Sequence, residues 1–187
     1  MSIGNLFVIS GPSGVGKSAV LKLVREQRGS DLLFSVSATS RAARPGEVDG
    51  EHYYFISEEK FRSLIDEDAF VEYDFHNNTY YGTLKSQVAE KCSIGNLVLD
   101  IEPNGAANLK KQFPDATTIF LVPPSMEVLE GRLRGRKDTD EAQMLLRLER
   151  AKWELTQADK YDHVVVNDVL EDCVNTVLHI IAEKADE

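Results

Sequence analysis

Gly11-Pro12-Ser13-Gly14-Val15-Gly16-Lys17-Ser18 stands directly after the apolar run Leu6 to Ile9 and directly before Ala19 to Val24, whose apolar residues recur at helical spacing. A glycine-rich turn between a strand and a helix, closed by Gly-Lys-Ser, matches the P-loop pattern in the context that the pattern requires. Gly11, Gly14 and Gly16 permit backbone angles that turn successive N–H groups inward, and the helix N-terminus adds a partial positive charge. Phosphate oxygens would then meet several donors at once, and Gly11, Pro12, Ser13, Gly14, Val15, Gly16, Lys17 and Ser18 are the residues expected to bind ATP. Lys17 is expected to bridge the β- and γ-phosphates of a nucleoside triphosphate. Ser18 offers a hydroxyl to Mg²⁺, and Asp100, at the end of the run Leu97 to Leu99, is the candidate acidic partner of that ion. An aspartate that only caps the next helix is the competing reading of Asp100.

Outward from this turn, short apolar runs alternate with helical patterns, the later runs being Leu97 to Leu99, Thr118 to Val122 and Val164 to Val166. Such alternation predicts βαβ units, an α/β fold and a mostly parallel central sheet flanked by helices. Val174, Val177, Leu178 and Ile181 recur at three- and four-residue steps, which predicts a last helix lying on one sheet face. The 187 residues carry 42% hydrophobic side chains, enough for one core, and one domain over residues 1–187 is expected. Its core would comprise about residues 1–34, 84–130 and 153–187.

Two stretches depart from this pattern. Residues 35–83 are rich in arginine, tyrosine and turn residues, as a small binding insertion would be. Residues 131–152 form a charged segment expected to cover little apolar surface, as a mobile lid does. In the insertion, Arg41 and Arg44 are followed by Pro45-Gly46 and Tyr53, a grouping able to aim two guanidinium forks and a phenol at one monophosphate. Glu47, Glu72, Tyr81 and Thr83 add polar groups.

A net charge of -10 argues against a nucleic-acid backbone or an anionic membrane as a partner. Met1 to Ser10 lacks a basic start and no apolar run has membrane length, so neither signal peptide nor membrane span is expected and a cytoplasmic location fits. Cys92 and Cys173 leave disulfide, metal ligand and free thiol open, with structural thiols the simplest reading. His52, His76, His163 and His179 show no ligand spacing or nucleophile pairing, and Trp153 reads as packing on a helix.

A P-loop alone does not separate hydrolase, motor, switch and kinase. Ser35-Val36-Ser37-Ala38-Thr39-Ser40-Arg41, Arg44-Pro45-Gly46-Glu47, Asp49-Gly50, Tyr53, Phe70-Val71-Glu72-Tyr73, Tyr80-Tyr81-Gly82-Thr83, Leu99-Asp100-Ile101-Glu102, Pro123-Pro124-Ser125 and Val165-Val166-Asn167-Asp168 together resemble the guanylate kinases, in order and over nearly the whole chain. The resemblance implies a nucleoside-monophosphate-kinase fold with a GMP-binding insertion and a helical lid. It implies Mg²⁺-assisted in-line transfer of the γ-phosphoryl group of ATP to GMP, giving ADP and GDP. Residues matching Arg41, Arg44, Tyr53 and Tyr81 hold the GMP phosphate in that family, and those matching Ser37, Glu72, Thr83 and Glu102 read the guanine. Lid arginines matching Arg132, Arg136 and Arg147 reach the triphosphate, joining Lys17 and Arg41 in transfer, and the residue matching Asn167 lies near the adenine. No general base is required, because a GMP phosphate oxygen is already anionic.

The sequence departs from the family pattern at Asn78-Thr79 and Asn104, neither of which removes a phosphate ligand, at Glu102, which bears on the guanine contact, and at Lys137 and Val169, which bear on lid geometry and adenine contacts. Two alternatives remain open: a catalytically inactive guanylate-kinase-like module that binds proteins, and a P-loop kinase for another phosphorylated small molecule. ATP and GMP are the expected partners of a monomer or small homo-oligomer.

Overall fold

The computed structural model describes residues 4–76, 78–135 and 141–185. In chain order the elements are β1 (Leu6–Ser10), α1 (Lys17–Arg28), β2 (Leu33–Phe34), β3 (Ala38–Thr39), β4 (Tyr54–Phe55), α2 (Glu58–Asp66), β5 (Phe70–His76), β6 (Thr79–Leu84), α3 (Lys85–Cys92), β7 (Leu97–Asp100), α4 (Pro103–Gln112), β8 (Thr117–Val122), α5 (Met126–Arg134), α6 (Glu141–Leu155), β9 (His163–Val166) and α7 (Leu170–Ala185).

Five strands form one parallel sheet in the order β2-β7-β1-β8-β9. The central strand β1 is apolar on both faces because both are covered, as parallel sheets require. Phe7 and Ile9 point into a cluster with Val20 and Val24 of α1 and Val174, Val177 and Ile181 of α7. Leu6 and Val8 point the other way, toward Val88 and Cys92 of α3 and Ala106 and Leu109 of α4. The α7 side chains expected to face the sheet do so, with Leu178 partly buried beside them. Cys92 and Cys173 are free, buried thiols on different helices. Burial raises the pKa of both, that of Cys173 to about 11.

Residues 38–84 form a second sheet, ordered β4-β3-β6-β5, in which β6 runs antiparallel to both β3 and β5. Its packing is aromatic: Phe61 of α2 is fully buried, with ring centroids 4.4 Å from Phe70 and 5.1 Å from Tyr80. A register irregularity between Phe70 and Glu72 sets Glu72 opposite Thr83.

One expectation needs correction. The stretch 131–152 does cover apolar surface: Leu133 of α5 and Leu148 and Ala151 of α6 close a cluster with Leu129, and Met144 is buried. Charged residues on the outer faces of α5 and α6 mask this stripe in the sequence, because helical spacing scatters it along the chain. Trp153, expected to pack, is 44% exposed.

Because Phe61 belongs to a cluster separate from the main core, Phe61→Ala is expected to loosen the small sheet first, at a cost of about 3 kcal/mol or more. Amide hydrogen exchange in β5 and β6 should accelerate while β1 and β8 keep their protection. Equal acceleration in all four strands would contradict a separately opening unit.

Candidate active site

The turn after β1 meets α1 at Gly16, the residue preceding the helix, in the left-handed region with φ 99°. A Cβ there would lie 2.6 Å from Nδ2 of Asn167, so a side chain is excluded by space as well as by backbone conformation. Asn167 follows β9, and its amide donates to the Val15 carbonyl at 2.7 Å. Arg132 of α5 donates to the same carbonyl at 3.2 Å and, through both terminal nitrogens, to the Asn167 carbonyl at 3.1 and 3.0 Å. Asn167 and Arg132 thus brace the turn.

Lys17 opens α1, and its Nζ lies 2.5 Å from Oδ1 of Asp100 at the end of β7. Burial alone would lower the Lys17 pKa, but Asp100, Glu102 and Glu154 outweigh it and the ammonium is held charged. The carboxylate of Glu154 on α6 is buried and accepts from Ser13 N–H at 3.3 Å.

Between the two sheets lies a cavity of about 270 Å³, lined by Lys17, Ser18, Ser37, Tyr53, Glu72, Asp74, Tyr81, Gly82, Asp100, Ile101 and Glu102. A larger cleft, about 500 Å³, lies apart from these groups between α4 and Trp153. The smaller cavity is the candidate site because both the P-loop and the second sheet line it. Glu72 on its wall is 8% exposed and its Oε1 accepts from the Thr83 hydroxyl at 2.7 Å. Burial pushes the Glu72 pKa up to about 7, with Asp74 and Glu102 adding to the rise and the Thr83 hydrogen bonds opposing it. A Cβ at Gly105 in the first turn of α4 would lie 2.4 Å from Oε2 of Glu72. The missing side chain is what lets this carboxylate approach the helix N-terminus.

Arg41 is gripped by Glu47, with contacts of 2.6 and 2.7 Å, and its guanidinium lies 4.9 Å from the Tyr53 ring centroid and 5.5 Å from that of Phe55. The Arg41 ion pair, followed by the Arg44 N–H, holds the Glu47 carboxyl down to about 2.

Lys17, Ser18, Ser37, Tyr53, Glu72, Tyr81, Asp100 and Glu102 therefore converge on one cavity. Thr83 adjoins it through Glu72. Glu47 spends both oxygens on Arg41, and the Arg44 side chain is exposed. Arg132 and Asn167 meet the back of the P-loop. Arg147 on α6 is partly buried, while Arg136 and Lys137 lie outside the described residues. His52, His163 and His179 are exposed.

Sequence reasoning missed Asp74, Arg150 and Glu154. Asp74 lies two residues beyond Glu72 on β5, and period-two alternation alone would have placed both on one face. Arg150 and Glu154 are an i,i+4 pair on α6 at 2.9 Å, indistinguishable by spacing from a solvated helix pair.

The parallel sheet, the braced P-loop and a second sheet carrying acceptor groups define a P-loop kinase of the nucleoside-monophosphate-kinase type. Residues 3–184 match the guanylate kinase family model, and the chain belongs to the guanylate kinase family. It is 48% identical over 182 residues to a guanylate kinase of Chlorobium luteolum, covering 96% of this chain and 92% of that one. A guanylate kinase of Fusobacterium nucleatum is 46% identical over 182 residues, 97% of each chain. Among solved structures, guanylate kinase from Anaplasma phagocytophilum is similar with a TM-score of 0.76 at 28% identity, over 100% of this chain and 89% of that one.

Gly16→Ala is expected to abolish triphosphate binding in equilibrium titration while leaving the far-ultraviolet circular dichroism unchanged. Wild-type affinity in that variant would refute the requirement for a left-handed, side-chain-free residue beside Asn167.

Proposed function

We propose that this chain transfers the γ-phosphoryl group of ATP to GMP, giving ADP and GDP, as the family to which it belongs implies. The observation that carries the reading is one cavity lined by Lys17 and Ser18 at the start of α1, Asp100 at the end of β7, Tyr53 just before β4, and Glu72 and Tyr81 of the second sheet. A triphosphate on the P-loop would direct its terminal phosphoryl group toward that cavity, where Lys17 can exchange Asp100 for phosphate oxygens.

Guanine presents a ring N–H and an exocyclic amino group on one edge. A Glu72 carboxylate accepts from both, with Ser37 and Glu102 as further contacts and Thr83 holding Glu72 in place. Adenine offers an acceptor there and would leave a buried carboxylate unpaired, a mismatch worth about 10⁴-fold in discrimination. Arg41, Arg44, Tyr53 and Tyr81 would hold the GMP phosphate, with Glu47 fixing the Arg41 fork. Arg136 and Arg147 would reach the transferring group as residues 131–152 close over residues 35–83. Arg132 and Asn167 would act mainly by bracing the cradle.

The Ser18 hydroxyl and the Asp100 carboxylate are hard oxygen donors lining the same cavity, a set that fits Mg²⁺ arriving with ATP. Among the described residues no three carboxylate, His or Cys side chains gather into a metal cage. Mg²⁺ would neutralise developing charge on the phosphates, while the protein supplies alignment and excludes water. No described helix is long and apolar enough to cross a membrane. A cytoplasmic monomer or small homo-oligomer completes the proposal.

ADP release from Mg-ATP is expected with GMP and not with AMP, CMP or UMP; release without any acceptor would indicate an ATPase instead. Lys17→Ala should lower kcat by roughly a thousandfold or more, and unchanged turnover would exclude the cradle role. Glu72→Gln should cut kcat/KM for GMP while leaving ATP binding intact.

Glu72 also sets a pH dependence. Its pKa is raised to about 7, so the acceptor carboxylate is present above that pH and lost below it. The value of kcat/KM for GMP should fall by about tenfold per pH unit below 7 and level off above. Glu72→Gln should retain only the weaker change near pH 6 that belongs to the substrate phosphate. An identical profile in that variant would assign the titration elsewhere.

A further inference from the structure

Arg150 is absorbed by none of the roles above. It projects from α6, partly buried, and its Nε donates to Oε1 of Glu154 at 2.9 Å. Its Nη2 lies 3.4 Å from Oδ2 of Asp74 on β5 and 3.4 Å from Oε2 of Glu102 at the start of α4. The other oxygen of Glu154 accepts from Ser13 N–H in the P-loop. One guanidinium therefore touches carboxylates from α6, the second sheet and the segment after β7, and through Glu154 reaches the phosphate cradle.

The charges around it make this arrangement necessary. Glu72 and Asp74 from β5 and Glu102 before α4 line the cavity, and Glu154 from α6 is close enough to Glu102 for each charge to oppose the other. Lys17, which also lines the cavity, is paired with Asp100. A carboxylate-lined wall suits the donor edge of guanine, but unneutralised like charges would drive the side chains apart and toward protonation.

We propose that Arg150 is a positioning residue for acceptor specificity, holding Asp74 and Glu102 in place at the guanine amino edge and tying α6 to the second sheet. This rests on the reading of Glu72 and Glu102 as guanine-facing. Lys17 feels the charge of Glu102 but is itself paired with Asp100, whereas Arg150 contacts Asp74 and Glu102 directly and so helps set their orientation. The exocyclic amino group is the feature that separates GMP from IMP, and the proposal places that discrimination partly under Arg150.

The test compares wild type, Arg150→Ala, Arg150→Lys and Glu72→Gln in steady-state assays with GMP and IMP between pH 5.5 and 8.5. Arg150→Ala should raise the GMP KM by roughly 10- to 30-fold, with kcat and the ATP KM changed by less than about threefold. Its preference for GMP over IMP should shrink by a similar factor, and the midpoint of the GMP pH profile should move upward as the nearby positive charge is lost. Arg150→Lys restores the charge but not the fork, so it should return the pH midpoint without restoring the GMP preference. Should Arg150→Ala fail to fold, the lysine variant decides alone: wild-type GMP preference overturns the proposal, and reduced preference at an unchanged pH midpoint supports it. Wild-type GMP KM, preference and pH midpoint in a folded Arg150→Ala also overturn it. Failure of Glu72→Gln to affect GMP would instead remove the guanine reading beneath it.

Discussion

The rest of the site depends on the Val15 carbonyl being held by Asn167 and Arg132. A turn that points successive N–H groups at a phosphate must send its carbonyls elsewhere, and an unsatisfied buried carbonyl would pull the turn out of shape. Asn167 reaches Val15 from the end of β9 and Arg132 reaches it from α5, so two elements far apart in sequence fix one peptide. The same Asn167 amide occupies the space that a side chain at residue 16 would need. Cradle, strand end and helix therefore stand or fall together.

Charge pairing is the second constraint. In a chain of net charge -10, two of the cations proposed to meet phosphate already have a carboxylate partner: Asp100 for Lys17 and Glu47 for Arg41. Substrate binding then exchanges one anionic partner for another instead of dehydrating a lone cation. The exchange need not be complete. Arg41 has five donors, and a fork gripped from one side by Glu47 remains oriented toward a ligand on the other. Glu47, named with the expected GMP-binding residues, contacts Arg41 through both oxygens.

The parallel sheet and the P-loop were legible because each rests on local signals, namely apolar runs, a glycine pattern and one helical stripe in α7. Glu72, Tyr53 and Tyr81 were legible through the family resemblance, since nothing local distinguishes them from other polar residues of a strand-rich stretch. What escaped was long-range or masked by charge. Strands β3 and β4 have two residues each and exist by pairing, so no periodicity marks them. Leu133, Leu148 and Ala151 are spread among charged neighbours, which made α5 and α6 read as solvated. Arg150 and Glu154 carry an ordinary i,i+4 spacing whose meaning comes only from Asp74, Glu102 and Ser13 on other elements. Arg132, expected to reach the triphosphate, contacts the Val15 and Asn167 carbonyls, a placement that spacing does not encode.

If Glu72 reads the guanine as proposed, base discrimination imposes a conflict that the fold meets locally at that residue. A reading carboxylate must be dry, because a hydrated one would accept water in place of the wrong base and the penalty for mismatch would vanish. Drying it raises its pKa toward neutrality, and the group begins to lose the charge that makes it an acceptor. Three features oppose that drift. Thr83 donates to one oxygen, the side-chain-free position at Gly105 admits the other to the positive end of α4, and Arg150 draws off the field of Asp74 and Glu102. Glycine at 105 thus serves another element: a methyl group there would lie 2.4 Å from Oε2 of Glu72 and force that carboxylate to shift from the helix terminus.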